Sequence, residues 1–465
     1  MRSLLWIVLA AAGLLLPGSP SLQAPAPAAA SRPNILVIMT DDQRADDQRV
    51  LSRTRALLEA KGTTFTNSFV ALALCCPSRA TFLTGQYPHN HGVLANSGPN
   101  GGYSRLDSSN TLAVWLQDAG YYTAHVGKYL NGYGTGSPDA PRGWSRWFGL
   151  IDPSTYRYFG YSVSVDGVPV TYGDSAGDYQ TDVLAAEAER IIRARAGSGR
   201  PFFLSVAPLA PHLERIGNKS SPPRPAPRHE HAFADEPLPA TPSFDEPDVN
   251  DKPSHIRRLP SLAPTRKSRA LANHQARLAS LLAVDEMVAR LVKALADTGQ
   301  LDRTVIFFTS DNGFFLGEHR IPDGKYFVYE EAVRVPLIVR GGGFAAGARV
   351  EALVSNIDLA PTIVALTGAR PRRTMDGRSL LDPVKDRTLL IEGFHQSRAQ
   401  PSFKAVRDAR WLYVEHATGD RELYELRNDP HQLRSRHAAP ALSAVRQDLA
   451  GRLARLRKCS GASCR

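Results

Sequence analysis

Short apolar runs without polar alternation recur along the chain and are separated by helical patterns. Such runs are typical of strands that are buried on both faces of a parallel sheet. The longest helical pattern covers residues 269–298, where large apolar residues recur near a 3.6-residue period. Strands that alternate with helices predict an α/β fold with a mainly parallel central sheet flanked by helices. The predicted strands are residues 34–40, 122–126, 202–207, 305–309 and 335–339.

Two later segments depart from this alternation. Residues 217–264 are dense in proline and charge, and we interpret them as an irregular excursion that is mobile or lines the mouth of a site. Beyond residue 383, apolar and polar residues alternate around a Gly-Asp turn, which predicts antiparallel strands, and a final helix is expected over 441–456. The chain therefore divides into a large domain, 31–383, and a small α+β subdomain, 384–465.

The first thirty residues predict a secretory signal peptide. A charged start, an apolar run from Leu4 to Leu16 and a tail of small residues are its usual parts, and cleavage after Ala24 or Ala30 would suit that tail. The apolar run is shorter than the roughly 20 residues that span a membrane; an uncleaved anchor is the alternative. We expect a secreted or otherwise extracytoplasmic protein without a stable membrane anchor.

Charge and cysteine content narrow the class of protein. The net charge of +11, from 56 Lys and Arg against 45 Asp and Glu, suits anionic partners such as sulfated glycans, or reflects a bias towards arginine and alanine. No basic run carries interleaved aromatic residues, so nucleic acid is not an expected partner. In an oxidising compartment, Cys459 and Cys464 of "KCSGASCR" are expected to form a local disulfide.

Polar residues follow four of the predicted strands at their carboxyl ends, where open parallel sheets bind ligands. Asp41 and Asp42 follow the first strand, and Asp311 and Asn312 follow the fourth. Oxygen donors of this kind suit Ca²⁺ or Mg²⁺ and not zinc. Taken singly, each pair reads as a helix cap or an ordinary turn. Together they predict a cation site.

Basic residues with the same placement are candidate anion ligands. Lys128 and His212 follow two further strands, and Lys325 lies beyond the fourth. Arg79 lies in "ALCCPSRATFLTG", residues 73–85. Each alone reads as a surface or loop residue, but a tetrahedral ester anion beside a divalent cation needs several such donors at once.

The two adjacent cysteines of that stretch precede a predicted helix. Pro77 favours a helix that begins around residue 77, so Cys75 and Cys76 would face its positive end, which suits anion chemistry. A thiolate of low pKa is one interpretation, and two small buried cysteines are another. A vicinal disulfide is sterically awkward.

The residues quoted so far resemble the formylglycine-dependent sulfatases of the alkaline phosphatase superfamily. "CCPSRATFLTG" is similar to their signature Cys-any-Pro-Ser-Arg, three variable residues, Leu-Thr-Gly. The similarity continues through "PNILVIMTDDQ", "GKYLNGYG", "APH", "TSDNGFFLGEH" and "NIDLAPTIVALTG", in the expected order. In wording it is nearest to the N-acetylglucosamine-6-sulfatases. The resemblance implies an alkaline-phosphatase-like α/β domain with a small C-terminal antiparallel α+β subdomain.

The resemblance also implies the cofactors and the mechanism. A formylglycine-generating enzyme would oxidise Cys75 to Cα-formylglycine, while Cys76 occupies the variable position. A hydroxyl of the hydrated aldehyde would attack sulfur and form a covalent sulfo-enzyme intermediate, and Lys325 or His212 would protonate the leaving oxygen. Arg79 would orient the formylglycine, and Lys128, His212 and Lys325 would contact the sulfate. The implied ligands of Ca²⁺, or alternatively Mg²⁺, are Asp41, Asp42, the modified Cys75, Asp311 and Asn312.

One departure from the sulfatase pattern concerns the base. Many sulfatases carry a histidine two or three residues after the Gly-Lys lysine, whereas Lys128 is followed by Tyr-Leu-Asn. Asn131 can hydrogen-bond but cannot act as a base. His89 and His91 of "PHNHG" are the auxiliary candidates, with a structural loop role as the alternative.

The expected function is hydrolysis of sulfate esters, with a sulfated carbohydrate or an aryl sulfate as substrate. The wording of the motifs favours a sulfated sugar such as 6-O-sulfated N-acetylglucosamine. The alternatives are an arylsulfatase of broad specificity and a phosphonate monoester or phosphodiester hydrolase on the same scaffold. A non-catalytic glycan-binding protein is a third alternative, against which the intact Cys75 signature and the complete cation set argue.

Overall fold

A ten-stranded mixed sheet forms the centre of the computed structural model, which describes residues 1, 32–383 and 386–465. The predicted signal peptide, apart from Met1, lies outside the described residues. The strands of the described residues are β1 (Asn34–Thr40), β2 (Thr63–Phe65), β3 (Ser68–Phe69), β4 (Tyr122–Gly127), β5 (Arg146–Leu150), β6 (Ser162–Val165), β7 (Val168–Thr171), β8 (Phe202–Ala207), β9 (Glu214–Ile216), β10 (Lys219–Ser221), β11 (Thr304–Ser310), β12 (Leu337–Arg340), β13 (Ala348–Val350), β14 (Val354–Ser355), β15 (Leu389–Gly393), β16 (Phe403–Arg407), β17 (Trp411–His416) and β18 (Arg421–Glu425).

Helices cover both faces of this sheet. Ile35 and Val37 of β1 pack in one core cluster, while Leu36 and Ile38 pack in the other. Because β1 is buried on both faces, its sequence is apolar without alternation. The helices of the described residues are α1 (Ser52–Thr54), α2 (Cys75–Thr84), α3 (Pro88–His91), α4 (Leu112–Asp118), α5 (Gln180–Ala194), α6 (Ser254–Arg257), α7 (Pro264–Asp297), α8 (Glu330–Val333), α9 (Leu359–Thr367) and α10 (Ser443–Leu456).

Four of the predicted strands are neighbours in the sheet. The strand order is β13-β2-β12-β11-β1-β8-β4-β5-β6-β7, and β11, β1, β8 and β4 run parallel. Thr40 lies opposite Ser310, and Gly127 lies opposite Ala207. The four carboxyl ends therefore meet at one edge, as the sequence predicted.

The fifth predicted strand, residues 335–339, was expected to be parallel and is not. It forms β12, which pairs antiparallel with β11. A parallel neighbour needs a crossover of a dozen or more residues, usually a long helix. The connection from β11 to β12 holds only the four-residue α8 and returns along the same edge.

The predicted long helix is α7, which begins earlier than expected because Pro264 occupies its first turn. Residues 217–264 contain only short elements, among them β10 and α6. This segment packs on the loop after β11, where the Asp245 amide donates to the Gly317 carbonyl. None of the helices in the described ranges is long and apolar enough to cross a membrane.

The end of the chain forms the predicted antiparallel sheet. Strands β15 to β18 pair in order, each antiparallel to the next, and α10 packs on this sheet. Cys459 and Cys464 form the expected disulfide. Residues 32–465 make up one compact unit, so the boundary at 383 and 384 stays a prediction from composition.

Candidate active site

The loops after β1 and β11 bring the predicted cation ligands together. The Asp42 amide donates to Asp311 Oδ1 at 3.1 Å, and Asn312 Nδ2 donates to Asp42 Oδ1 at 2.6 Å. Asp41, Asp42, Asp311 and Asn312 are all buried. Asp42 has a left-handed backbone (φ 66°), which few aspartates adopt. The hydrogen bonds with Asp311 and Asn312 stabilise this conformation.

Cys75 lies at the amino end of α2, two residues before the predicted helix start. Leu74 is still extended, so both cysteines belong to the first turn of the helix. Lys325 Nζ donates to the Cys75 Sγ at 2.9 Å, and Lys128 Nζ donates to the same atom at 3.3 Å. The Sγ also lies 3.5 Å from Asp41 Oδ1. Cys75 is therefore next to both lysines and to a cation-site carboxylate.

Each buried carboxylate of the site has a basic partner. Lys128 pairs with Asp41, and Lys325 pairs with Asp42. Arg79 Nε donates to Asp311 Oδ2 at 2.8 Å, and its Nη1 donates to the Lys128 carbonyl at 2.7 Å. The structure thus brings together the acidic and basic residues that the sequence predicted.

His212 presents one ring nitrogen to the site. Its Nδ1 lies 2.6 Å from the Leu213 carbonyl, which can only accept, so Nδ1 is the protonated nitrogen. Its Nε2 lies 3.6 Å from Asp42 Oδ2. Burial lowers the pKa of His212 to about 4, against the opposing charges of Asp41 and Asp42.

The surrounding charges also set the pKa values of Asp41 and Cys75. Burial works to raise the pKa of Asp41, but Lys128 first and His212 next hold it down at about 2. Burial, followed by the charge of Asp41, raises the pKa of the Cys75 thiol to about 12. Burial therefore shifts the pKa of this thiol in the direction opposite to that of a thiolate of low pKa.

The oxygen donors of Asp41, Asp42 and Asn312 fit a hard divalent cation, whereas the Cys75 thiol and the His212 imidazole are softer donors. Asp41, Asp42, Cys75 and His212 each offer a donor atom, and these atoms lie within 4.8 Å of one another. Asn312 Oδ1 is buried and has no hydrogen-bond partner among the described residues. A buried oxygen without a partner is costly unless something binds it, and a cation would satisfy it.

Two residues with implied roles lie differently in relation to this donor group. His212, implied as a sulfate contact, is one of its four members, whereas Asp311, implied as a cation ligand, is not. Both carboxylate oxygens of Asp311 are engaged, by the Asp42 amide and by Arg79. Each oxygen retains a further lone pair, so Asp311 can still coordinate a cation.

The auxiliary candidates contact other parts of the chain. His89 Nδ1 lies 3.0 Å from Glu392 Oε1, and its Nε2 lies 2.9 Å from the Cys459 carbonyl. His91 lies 3.1 Å from Thr81 Oγ1 through Nε2 and accepts from the Val93 amide through Nδ1. Both imidazoles have the hydrogen bonds of structural loop residues.

Asn131 contacts Cys76 and not Cys75. Its amide donates to Cys76 Sγ at 3.0 Å, and the thiol lies 3.2 Å from Asn131 Oδ1. The Cys76 amide donates to Asn96 Oδ1 at 2.9 Å. Cys76 therefore connects α2 to two loops beside the site.

We expect Cys76→Ala to retain most activity. The substitution removes hydrogen bonds of the thiol with Asn131, and one such bond contributes about 1 kcal/mol. A fall in kcat/KM of less than about tenfold should be measured on an aryl sulfate. Cys76→Ser, which keeps a donor and an acceptor, is the matched control. Loss of turnover with formylglycine still formed would contradict the assignment of Cys76 to the variable position.

Two residues of the site were missed by the sequence reasoning. The Tyr156 ring centroid lies 4.8 Å from Lys128 Nζ and 5.0 Å from the His212 ring. The Arg277 guanidinium donates to the carbonyls of Asp42, at 2.5 Å, and Pro211, at 3.1 Å. Arg277 occupies an inward-facing position of α7. A charged residue on the apolar face of a predicted helix could have indicated it. Tyr156 lies in a turn and had no such signal.

Two glycines permit the close approach of the site loops. A Cβ on Gly127, whose φ is +111°, would lie 2.2 Å from the Ala207 carbonyl oxygen of β8. A Cβ on Gly313 would lie 2.1 Å from the Glu331 carbonyl oxygen. A side chain at either position would displace the backbone that carries Lys128 or Asn312.

Comparison with known proteins agrees with this fold. Residues 33–369 match the model of the sulfatase family, and residues 317–459 match that of the N-sulphoglucosamine sulphohydrolase C-terminal region. An arylsulfatase of Volvox carteri is 33% identical over 94% of this chain and 76% of its own length. The N-acetylglucosamine-6-sulfatase of Homo sapiens is 38% identical over 75% of this chain, which spans 64% of that protein.

A solved structure shows the same fold. It is a complex with its substrate D-glucosamine-2-N,6-O-disulfate, has a TM-score of 0.79 and 23% identity, and covers 92% of this chain and 98% of its own. The central sheet of this chain thus belongs to the same fold as that structure. The chain belongs to the sulfatase family, and its class is that of the sulfuric ester hydrolases.

Proposed function

We propose that this protein is an exported sulfatase that hydrolyses the sulfate ester of a sulfated sugar such as 6-O-sulfated N-acetylglucosamine. The observation that carries the proposal is the position of Cys75 between two lysine ammonium groups, against Asp41. The similarity to an N-acetylglucosamine-6-sulfatase supports the choice of sugar. The disulfide between Cys459 and Cys464 supports export to an oxidising compartment.

In this proposal Ca²⁺, or alternatively Mg²⁺, is held by Asp41, Asp42, Asp311, Asn312 and the modified Cys75. When bound, the cation supplies positive charge that polarises an oxygen of the ester and acidifies a hydroxyl beside it. Asp42 and Asn312 already contact each other, and the Asn312 Oδ1 still lacks a partner among the described residues. The chain thus preorganises the ligands before any ion binds.

We further propose that Cys75 is converted to Cα-formylglycine by a formylglycine-generating enzyme. Once hydrated, this group supplies two hydroxyls on one carbon, one for attack on sulfur and one whose deprotonation restores the aldehyde. A serine or a plain thiol has no second hydroxyl on that carbon. Arg79 acts as a positioning residue, because its guanidinium joins Asp311 to the backbone of Lys128.

The lysines bind the sulfate and supply the proton in this scheme. Lys128 Nζ and Lys325 Nζ both point at the Cys75 side chain, where the sulfate oxygens would gather. Neutral His212 carries its proton on Nδ1, so its Nε2 is an acceptor. Lys325, the nearer of the two ammonium groups to Sγ, is therefore the group we assign to protonate the leaving oxygen.

Turnover of three esters tests the reaction class. We expect the purified protein to release sulfate from 6-O-sulfated N-acetylglucosamine and from an aryl sulfate. An aryl phosphonate should be hydrolysed at least about tenfold less efficiently, measured as kcat/KM. Cys75→Ala protein, prepared in the same way, controls for contaminating hydrolases. Preference for the phosphonate would establish the phosphonate hydrolase alternative, and an aryl sulfate far better than the sugar would indicate an arylsulfatase.

A further inference from the structure

A groove of about 880 Å³ opens beside the residues around Cys75. Two glycine-rich segments, within residues 96–104 and 131–140, line it together with Asp152 and Arg215. Asn96 and Asn131 belong to this lining, and both hydrogen-bond Cys76, the neighbour of the reacting residue. The groove is therefore adjacent to the reactive centre, on the side of α2 that carries Cys76.

Tyr156 links the same groove to the sulfate-binding lysine. Its ring centroid lies 4.8 Å from Lys128 Nζ and 5.9 Å from Arg215 Cζ. Its hydroxyl is buried and has no hydrogen-bond partner among the described residues. The same aromatic ring therefore contacts both the ammonium group at the reacting atoms and the guanidinium at the groove.

Arg215 is an exposed cation that has no ion-pair partner among the described residues. It lies on β9, and the neighbouring carboxylate, Glu214, pairs with Arg224 at 3.0 Å. Within the described ranges no acidic side chain forms an ion pair with Arg215. An arginine in this situation offers its fork of N–H donors to an external sulfate or carboxylate.

The rest of the lining suits an uncharged part of a sugar. Asp152 Oδ2 accepts from the Gly132 amide at 2.5 Å, and Asp139 Oδ2 accepts from Ser137 Oγ at 2.6 Å. These two carboxylates disfavour anions along their part of the groove and can accept from sugar hydroxyls. An anionic substituent is thereby directed to Arg215.

We infer that this groove is a carbohydrate subsite in which Arg215 binds a second anionic group of the substrate, a sulfate or a carboxylate. The group belongs to the sugar that carries the scissile ester or to the sugar joined to it. The inference rests on the proposed function and narrows its substrate class to saccharides with at least two anionic groups.

Kinetics on three saccharides test the role of Arg215. The substrates are 6-O-sulfated N-acetylglucosamine, its analogue in which an N-sulfate replaces the N-acetyl group, and a disaccharide that joins a uronic acid to the first sugar. The wild type should show a lower KM for one or both of the dianionic substrates. Arg215→Ala should raise that KM at least about tenfold, the loss of one charge-assisted pair. In this variant, the KM of the dianionic substrate divided by that of the monoanionic substrate should rise from below one to near one.

Lys219→Ala is the matched control. Lys219 is exposed on the same hairpin as Arg215 but does not line the groove. The Lys219→Ala substitution removes one positive charge, as Arg215→Ala does, and should keep the wild-type ratio of the dianionic to the monoanionic KM. Preference for the N-sulfate places the second anion on the reacting sugar, and preference for the uronate places it on the neighbour. Equal KM changes for all three saccharides, or none, would overturn the inference.

A blocking variant tests the groove itself. Gly136 lines it, is exposed, and would place a Cβ in open space without strain. Gly136→Trp should raise the KM of the disaccharide more than that of the monosaccharide, and the opposite order would count against the subsite. If the wild type cleaves no sulfate ester, the proposed function fails. The subsite can then still be tested by calorimetry, which measures the affinity of the dianionic saccharides for Cys75→Ala protein and for the same protein with Arg215→Ala added. Equal affinities of the two proteins would overturn the subsite.

Discussion

Cys75→Ala is expected to abolish ester hydrolysis while the protein still folds. The substitution removes the thiol that lies against both lysines and Asp41, and with it the precursor of the proposed nucleophile. Loss of a nucleophile costs at least about 10⁴-fold in kcat. The side chain is small and buried, so folding should survive the loss of one sulfur atom. Aryl sulfate turnover and a thermal unfolding scan measure the two effects.

Cys75→Ser sharpens this experiment because it restores a hydroxyl of similar size. We expect it to remain inactive over repeated turnovers, since serine has a single hydroxyl on its β-carbon. The mass of the peptide that contains residues 75–79 provides the independent readout. The wild type should show oxygen in place of sulfur together with the loss of two hydrogens at one position, which distinguishes the aldehyde from serine. An unmodified thiol in a fully active enzyme would refute the formylglycine proposal.

Removal of divalent cations is expected to have the second-largest effect. A chelator should abolish turnover, and Ca²⁺ should restore it. The chelator would remove the cation that the proposed site shares among three buried carboxylates and the Asn312 Oδ1, which lacks a partner among the described residues. The three carboxylates are those of Asp41, Asp42 and Asp311. Their lysine and arginine partners remain, so we expect the fold to persist with reduced stability.

The stability change gives this prediction a readout besides activity. A cation present at roughly 100 times its Kd stabilises the folded state by about 2.7 kcal/mol, which raises Tm by several degrees. The test uses the wild-type protein, freed of metal by a chelator and titrated with Ca²⁺ and then with Mg²⁺. Asn312→Ala, which removes the orphan oxygen, should weaken the shift. Full activity of a metal-free preparation would remove the cation from the mechanism.

The sequence determined the central sheet and much of the site. The runs that became β1, β4, β8 and β11 are apolar at every position because helices cover both of their faces, and this pattern is local. Parallel strands share an edge at their carboxyl ends, so Asp41 and Asp311 had to meet there. Cys75 was recognisable because its whole motif is contiguous.

Tertiary packing decided what no local pattern encodes. The direction of β12 depends on how the preceding loop returns, and the same loop carries Lys325 onto Cys75. Tyr156 and Arg215 come from connections whose paths are set by contacts far along the chain. Periodicity shows which residues are buried in a strand or helix, because burial repeats with the backbone. The position of a loop side chain depends on long-range contacts, and only the tertiary structure supplies them.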